Sequence, residues 1–197
     1  MPSATSRSVD SRLVRALSVG VVDALSLAFP TGEPLEVEAF HRLAVGHEVV
    51  DYGAKMMRHK SMTQKVDLLI AERLGDDRWA PRVAMECLIG NPSTRTARAL
   101  DVRVAAFKAF NPSMRYGALV GQHEGQDIPA SLIKHCSHLD FVAAWVDRLP
   151  TEAEWSRLSA IFSTEVAASR TLHNIMFRAA YRPAGPLRFL HRGLTVE

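Results

Sequence analysis

Two acids stand in apolar company in this chain: Asp67 in Val66-Asp-Leu-Leu-Ile70 and Glu86 in Val83-Ala-Met-Glu-Cys-Leu-Ile89. Gly75-Asp76-Asp77 lies between the two runs, so residues 66–90 read as two strands folded into a hairpin. If the tight turn is centred between Asp76 and Asp77, Asp67 and Glu86 are equidistant from it and face each other. Opposed side chains of an antiparallel pair have Cβ atoms about 5 Å apart, near enough for two carboxylates to share one cation. Left bare they would repel, and one would keep its proton unless a cation or a basic side chain intervened. Should Ala80-Pro81 widen the loop by two residues, the acids become diagonal neighbours on the same face. Strand alternation places Lys65 on the face of Asp67 and Leu88 on that of Glu86. Two acids and an ammonium group in one patch suit Mg2+-assisted attack of water on a phosphodiester. The metal polarises the phosphate and acidifies its water, while Lys65 stabilises developing charge or orients the nucleophile.

The elements that must position these residues follow from periodicity. Leu13, Leu17, Val21, Ala24 and Leu25 recur at helical spacing over residues 11–29, with Ser8 or Asp10 as caps and Pro30-Thr31-Gly32 as the stop. Leu35, Ala39, Leu43, Val50, Ala54 and Met57 predict a second helix over residues 34–59, whose polar side carries His47, Glu48, Asp51 and Lys55. The hairpin comes next. Asn91-Pro-Ser-Thr94 then ends its second strand and offers Ser93 or Thr94 as the cap of a helix that stops at Asn111-Pro112. Residues 116–121 predict a third strand, 122–126 a polar loop, 128–135 a short helix, and 140–146 a fourth strand or a buried helical turn. Thr151-Glu-Ala-Glu154 is a capping-box pattern opening a last helix, which continues with a break to about Tyr181. The whole reads as an α/β fold: a sheet covered by helices, with an antiparallel hairpin feeding a crossover helix to the next strand.

This order of elements resembles the PD-(D/E)xK restriction-endonuclease-like nucleases over residues 37–147. The resemblance implies a mixed central sheet with an antiparallel hairpin, flanked by helices, with a helical N-terminal addition (1–36) and C-terminal helices and tail (148–197) on a single domain. It implies Asp67 as the first acid, Glu86 as the acid of the (D/E)xK element, and Glu48 as the extra acid some members carry on the preceding helix. Asp67, Glu86 and Glu48 would then bind Mg2+ or Mn2+, with Asp67, Glu86 and Lys65 catalytic. The element reads Glu86-Cys87-Leu88, with leucine where the family has lysine, so either Lys65 or another residue supplies the charge or the site is degenerate. Two functions follow. The first is a metal-dependent endonuclease of the type II-like restriction or defence kind; the alternative is an inactive nuclease-fold protein kept as a DNA-binding or assembly subunit.

Purely structural pairings compete with this chemistry. Asp67 could answer Arg73 or Arg82, and Glu86 could pair with Arg98. His135-Cys136-x-His138 with His123 upstream has zinc-type ligands, but irregular spacing favours surface histidines at a helix end. Nothing orients Cys136 as a nucleophile. No phosphate-loop or dinucleotide glycine motif is present in the sequence. Arg95, Arg98, Arg103 and Lys108 do not form one helical stripe. Arg95, at the helix start, is best placed to approach a phosphate near Glu86, with Arg98 as a second nucleic-acid contact. The tail around Arg182, Arg188, His191 and Arg192 is either a backbone-tracking segment or a packed extension.

The totals are compatible with these readings. At 197 residues and 47% hydrophobic content, the chain suffices for one core, and one domain is expected. A net charge of +3 and a pI near 9.1 permit a DNA partner without requiring one. Two cysteines give no disulfide framework, the start MPSATSRSVDSR lacks a signal-like apolar stretch, and no apolar run reaches bilayer length. A cytoplasmic protein with no membrane partner is expected. The N-terminal helices carry more apolar face than a small sheet covers, which suggests a homodimer able to cut both strands of a duplex.

Overall fold

The computed structural model describes residues 11–29, 35–52, 57–75, 78–125 and 127–178, apart from the side chains of 49–59. The expected helix stop at Pro30-Thr31-Gly32, Ala54 and Lys55, the turn at Asp76-Asp77, Gln126 and the basic tail from Tyr181 lie outside the described residues. Along the chain run α1 (Ser11–Ala28), β1 (Leu35–Ala39), β2 (Arg42–Tyr52), β3 (Met57–Lys65), β4 (Leu68–Gly75) and β5 (Arg78–Ile89). They are followed by α2 (Thr94–Phe110), β6 (Arg115–Gly121), α3 (Ala130–His135), β7 (Phe141–Ala144), α4 (Glu152–His173) and a π-helical turn, Asn174–Arg178. No helix among the described residues is long and apolar enough to cross a membrane.

Five strands form a mixed sheet in the order β1-β4-β5-β6-β7, while β2 and β3 pair separately as a two-stranded ribbon. The β1-β4-β5 part is antiparallel and the β5-β6-β7 part parallel. Parallel neighbours need a crossover, and α2 and α3 provide it. Leu68, Ile70, Val83, Met85, Cys87 and Leu119 face α1 and α4. Leu69, Ala71, Ala84, Tyr116, Ala118 and Val120 face α2 and α3. Burial on both faces is why these strands read as nearly continuous apolar runs. Gly20 lets the two helices of the first face approach, because a Cβ there would fall 2.2 Å from the Trp155 ring of α4.

The caps follow the sequence reading. Ser93 accepts from the Thr96 amide at the start of α2, and Thr151 and Glu154 complete a reciprocal capping box on α4. The expected helix over 34–59 is instead β1, β2 and the start of β3. A spacing of four residues, as in Leu35, Ala39 and Leu43, serves a period of 3.6 and a period of 2 almost equally. What decides is Leu35-Glu-Val-Glu-Ala39, whose burial alternates residue by residue, together with β-branched Val45, Val49 and Val50. Glu48 therefore sits on a strand, not on a helix.

A buried ion network ties the hairpin to α4. Arg82, 4% exposed at its side chain, pairs with Glu72, which also receives Arg170 at 2.8 Å. Burial raises the pKa of Glu72, but hydrogen bonds and charge from Arg170 and Arg82 outweigh it, and the carboxyl ends below its ordinary value. Removing one member of such a pair strands the other. Arg82→Ala should cost about 3 kcal/mol, seen in urea unfolding as a lower midpoint.

Candidate functional site

The hairpin register brings the two acids together. Leu69 faces Ala84 and Leu68 faces Met85, so Asp67 and Glu86 hold the next opposed positions, just past the end of the ladder. Two slips in register come farther down, between Ile70 and Ala71, where Pro81 cannot donate to the ladder, and between Arg73 and Gly75, and they leave the acid end untouched. Both acids are buried, Asp67 at 8% and Glu86 at 4% exposure.

Each carboxyl oxygen with a partner draws it from a different part of the fold. The Cys87 amide donates to Asp67 Oδ2 at 2.9 Å. The Tyr116 hydroxyl donates to Glu86 Oε1 at 2.7 Å, reaching from β6, where Tyr116 lies beside Ala84 and on the face of Glu86. Arg103 of α2 places Nη2 2.6 Å from Glu86 Oε2. Its Nε is buried without a hydrogen-bond partner, so the guanidinium uses only part of its donor fork on the site.

Electrostatics follow from this crowding. Burial raises the pKa of Glu86 to about 7; Arg103 opposes the rise, the negative charge of Asp67 adds to it, and the two carboxyls are close enough to share a proton. Burial and the neighbouring Glu86 also push the Tyr116 phenol far up, so it remains a hydrogen-bond donor. Burial and the two acids likewise raise the Cys87 thiol. Cys87 contributes its amide, not a nucleophile.

The other expected residues fall elsewhere. β3 ends at Lys65 and the chain bends at Asp67, so alternation does not carry across. The Lys65 ammonium instead stacks 4.1 Å from the centroid of the Phe40 ring, and the cation on Glu86 is Arg103. Glu48 is exposed on the ribbon, opposite Lys60. Arg95 and Arg98 are exposed on α2, and among the described residues neither makes an ion pair. Leu88 is half-buried at the edge of the α2-side core. The competing pairings also sort differently: Arg73 goes to Glu36 and Arg82 to Glu72. His138 pairs with Asp101, while His123 meets the Asp127 carbonyl. Cys136 donates to the Ala97 carbonyl, with its thiol pushed up to about 11, first by burial and then by Asp101. Among the described residues no three His, Cys, Asp or Glu side chains are grouped to hold a metal.

The sequence reading placed Arg103 among the charges of the helix and Tyr116 at the start of the third strand without assigning either to the site, although signals existed. Leu100, Arg103 and Phe107 share one helical face, and two of the three are core residues, so Arg103 points toward the sheet. Tyr116 opens a strand whose alternate members Ala118 and Val120 line the same core.

Glu86 gives the site a pH signature. A carboxyl whose folded pKa is raised binds its proton more tightly when folded, so its contribution to stability is full below about pH 4.5 and is lost as pH rises through about 7. The protein in EDTA should lose on the order of 3 kcal/mol over that window, and Glu86→Gln should flatten the profile in denaturant titrations at successive pH values.

No protein-family model matches the chain, and no curated protein is significantly similar to it, so what the molecule does must be argued from the chemistry of the paired acids.

Proposed function

We propose that the chain is a metal-dependent nuclease of the restriction-endonuclease-like class that hydrolyses DNA phosphodiester bonds at Asp67 and Glu86. The observation that carries this reading is the buried, opposed carboxyl pair, which keeps a proton on Glu86 up to about pH 7 despite the arginine beside it. When both acids ionise, Arg103 leaves an excess of buried negative charge, which a divalent cation relieves by displacing the proton. Hard carboxylate oxygens are the donors Mg2+ takes, with substrate phosphate and water completing its shell. The residues present therefore fit Mg2+ or Mn2+, held by Asp67 and Glu86 without Glu48. The metal would supply Lewis-acid polarisation of the phosphate and acidify a water.

The chain's own groups do the rest. The Cys87 amide fixes Asp67, and the Tyr116 hydroxyl fixes the rotamer of Glu86. Arg103 supplies, from α2, the positive charge that Leu88 cannot, through the Nη2 that already meets Glu86 Oε2. Lys65 leaves the catalytic set.

A second reading rests on the same arginine. If Arg103 neutralises Glu86 well enough, the site needs no metal, and the chain is an inactive nuclease-fold subunit that binds DNA or supports an assembly. Leu88 favours this reading.

Incubating purified protein with supercoiled and linear DNA in Mg2+, Mn2+ or EDTA separates the two. The nuclease reading expects cutting only with metal, increasing with pH through about 7 as Glu86 ionises, and abolished in folded Asp67→Ala. Arg103→Ala should lower kcat by about 100-fold, with partial rescue by Arg103→Lys. Metal-independent folding, no cutting and no change in the Glu86 titration on adding Mg2+ would support the inactive subunit.

A further inference from the structure

We infer that Arg42 and Lys65, at the root of the β2-β3 ribbon, form a clamp for the phosphate backbone of duplex DNA beside the acid pair. This rests on the nuclease reading for the identity of the polyanion.

The ribbon register sets Arg42 directly opposite Lys65. Both side chains are exposed, and among the described residues neither makes an ion pair. Like charges opposed across a ladder repel at a Cβ separation of about 5 Å, so the arrangement is unfavourable until an anion lies between them. The nearby acids do not serve. Glu38 pairs with His41, and Asp67 and Glu86 are buried with their own partners. Farther out, by contrast, Glu48 stands opposite Lys60.

The pair is also held in place. Lys65 stacks on Phe40, 4.1 Å from the ring centroid, which orients an otherwise flexible ammonium. Phe40 itself has φ 61°, a left-handed backbone that a bulky aromatic adopts only when its surroundings impose it. Two backbone hydrogen bonds impose it here: Phe40 donates to the Asp67 carbonyl at 2.8 Å, and Val66 donates to the His41 carbonyl at 2.9 Å. The strained turn thus fastens the two cations to the segment that carries Asp67. Lys65 is two residues from Asp67, so their Cα atoms are at most about 7 Å apart, comparable with one phosphate-to-phosphate step. A phosphate held by the clamp neighbours the one at the acids. A two-stranded ribbon is also of a size to enter the major groove.

The test is binding of the full chain to a labelled duplex in EDTA, where no cutting intervenes, across a salt series. Replacing one phosphate contact lowers the slope of log K against log salt by about 0.9. Arg42→Ala and Lys65→Ala should each do so and weaken binding on unrelated sequences alike, the double variant should lose about twice that slope, and Lys65→Arg should restore it. Circular dichroism checks folding, which these exposed positions should not disturb. Unchanged slope and affinity in the double variant would overturn the clamp, as would absence of duplex binding by folded wild-type protein or a slope change confined to single strands. Cleavage with Mg2+ is read separately. Slope loss without cutting keeps the clamp and removes the nuclease, whereas cutting with unchanged slope does the reverse.

Discussion

Two carboxyl groups opposed inside a sheet are the constraint around which this molecule is organised. Their burial is unfavourable unless each oxygen finds a donor or the pair keeps a proton. The donors come from three elements: the Cys87 amide of β5, the Tyr116 hydroxyl of β6 and the Arg103 guanidinium of α2. A hairpin alone could not satisfy the pair. It takes the β5-α2-β6 crossover, which brings a helix over the face on which Glu86 points and a parallel strand alongside it.

The same fold isolates that charge from its other ion networks. Glu72, Arg82 and Arg170 join the hairpin to α4. Asp140 receives Lys108 and Arg115, and Arg115 continues to Glu165 of α4. Each of these carboxylates has one or two basic partners. Among the described residues the Asp67 and Glu86 pair has one basic partner, Arg103, an imbalance of the kind that perturbs a buried carboxyl. A proton and the Arg103 guanidinium both offset the charge of the two carboxyls, and under the proposed function a divalent cation would compete with them.

The ribbon adds a second imbalance of opposite sign. Arg42 and Lys65 face each other without an acid among the described residues, a short chain distance from the paired acids. A phosphodiester backbone with its accompanying metal would relieve both, which is a physical reason for the two features to be joined through Phe40 and Asp67.

Much of this was legible in one dimension. Apolar runs bounded by Gly75-Asp76 and Asn91-Pro92 specified the hairpin strands, and equal distance from the turn placed Asp67 opposite Glu86, a pairing that holds because the two register slips nearer the turn offset each other. Ser93, Thr151 and Glu154 announced their helices because capping involves residues three apart. The helix expected over residues 34–59 was a misreading because a four-residue apolar spacing suits both periods, and only the strand pairing of β1 with β4 and of β2 with β3 resolves it. The stacking of Lys65 on Phe40 was not legible, because the bend at Asp67 is one that no residue type advertises. Arg103 and Tyr116 required tertiary structure, since which arginine reaches a buried acid depends on how α2 lies over the sheet. Local hydrogen bonding let the sequence determine the acids and their register; packing at long range decided what neutralises them.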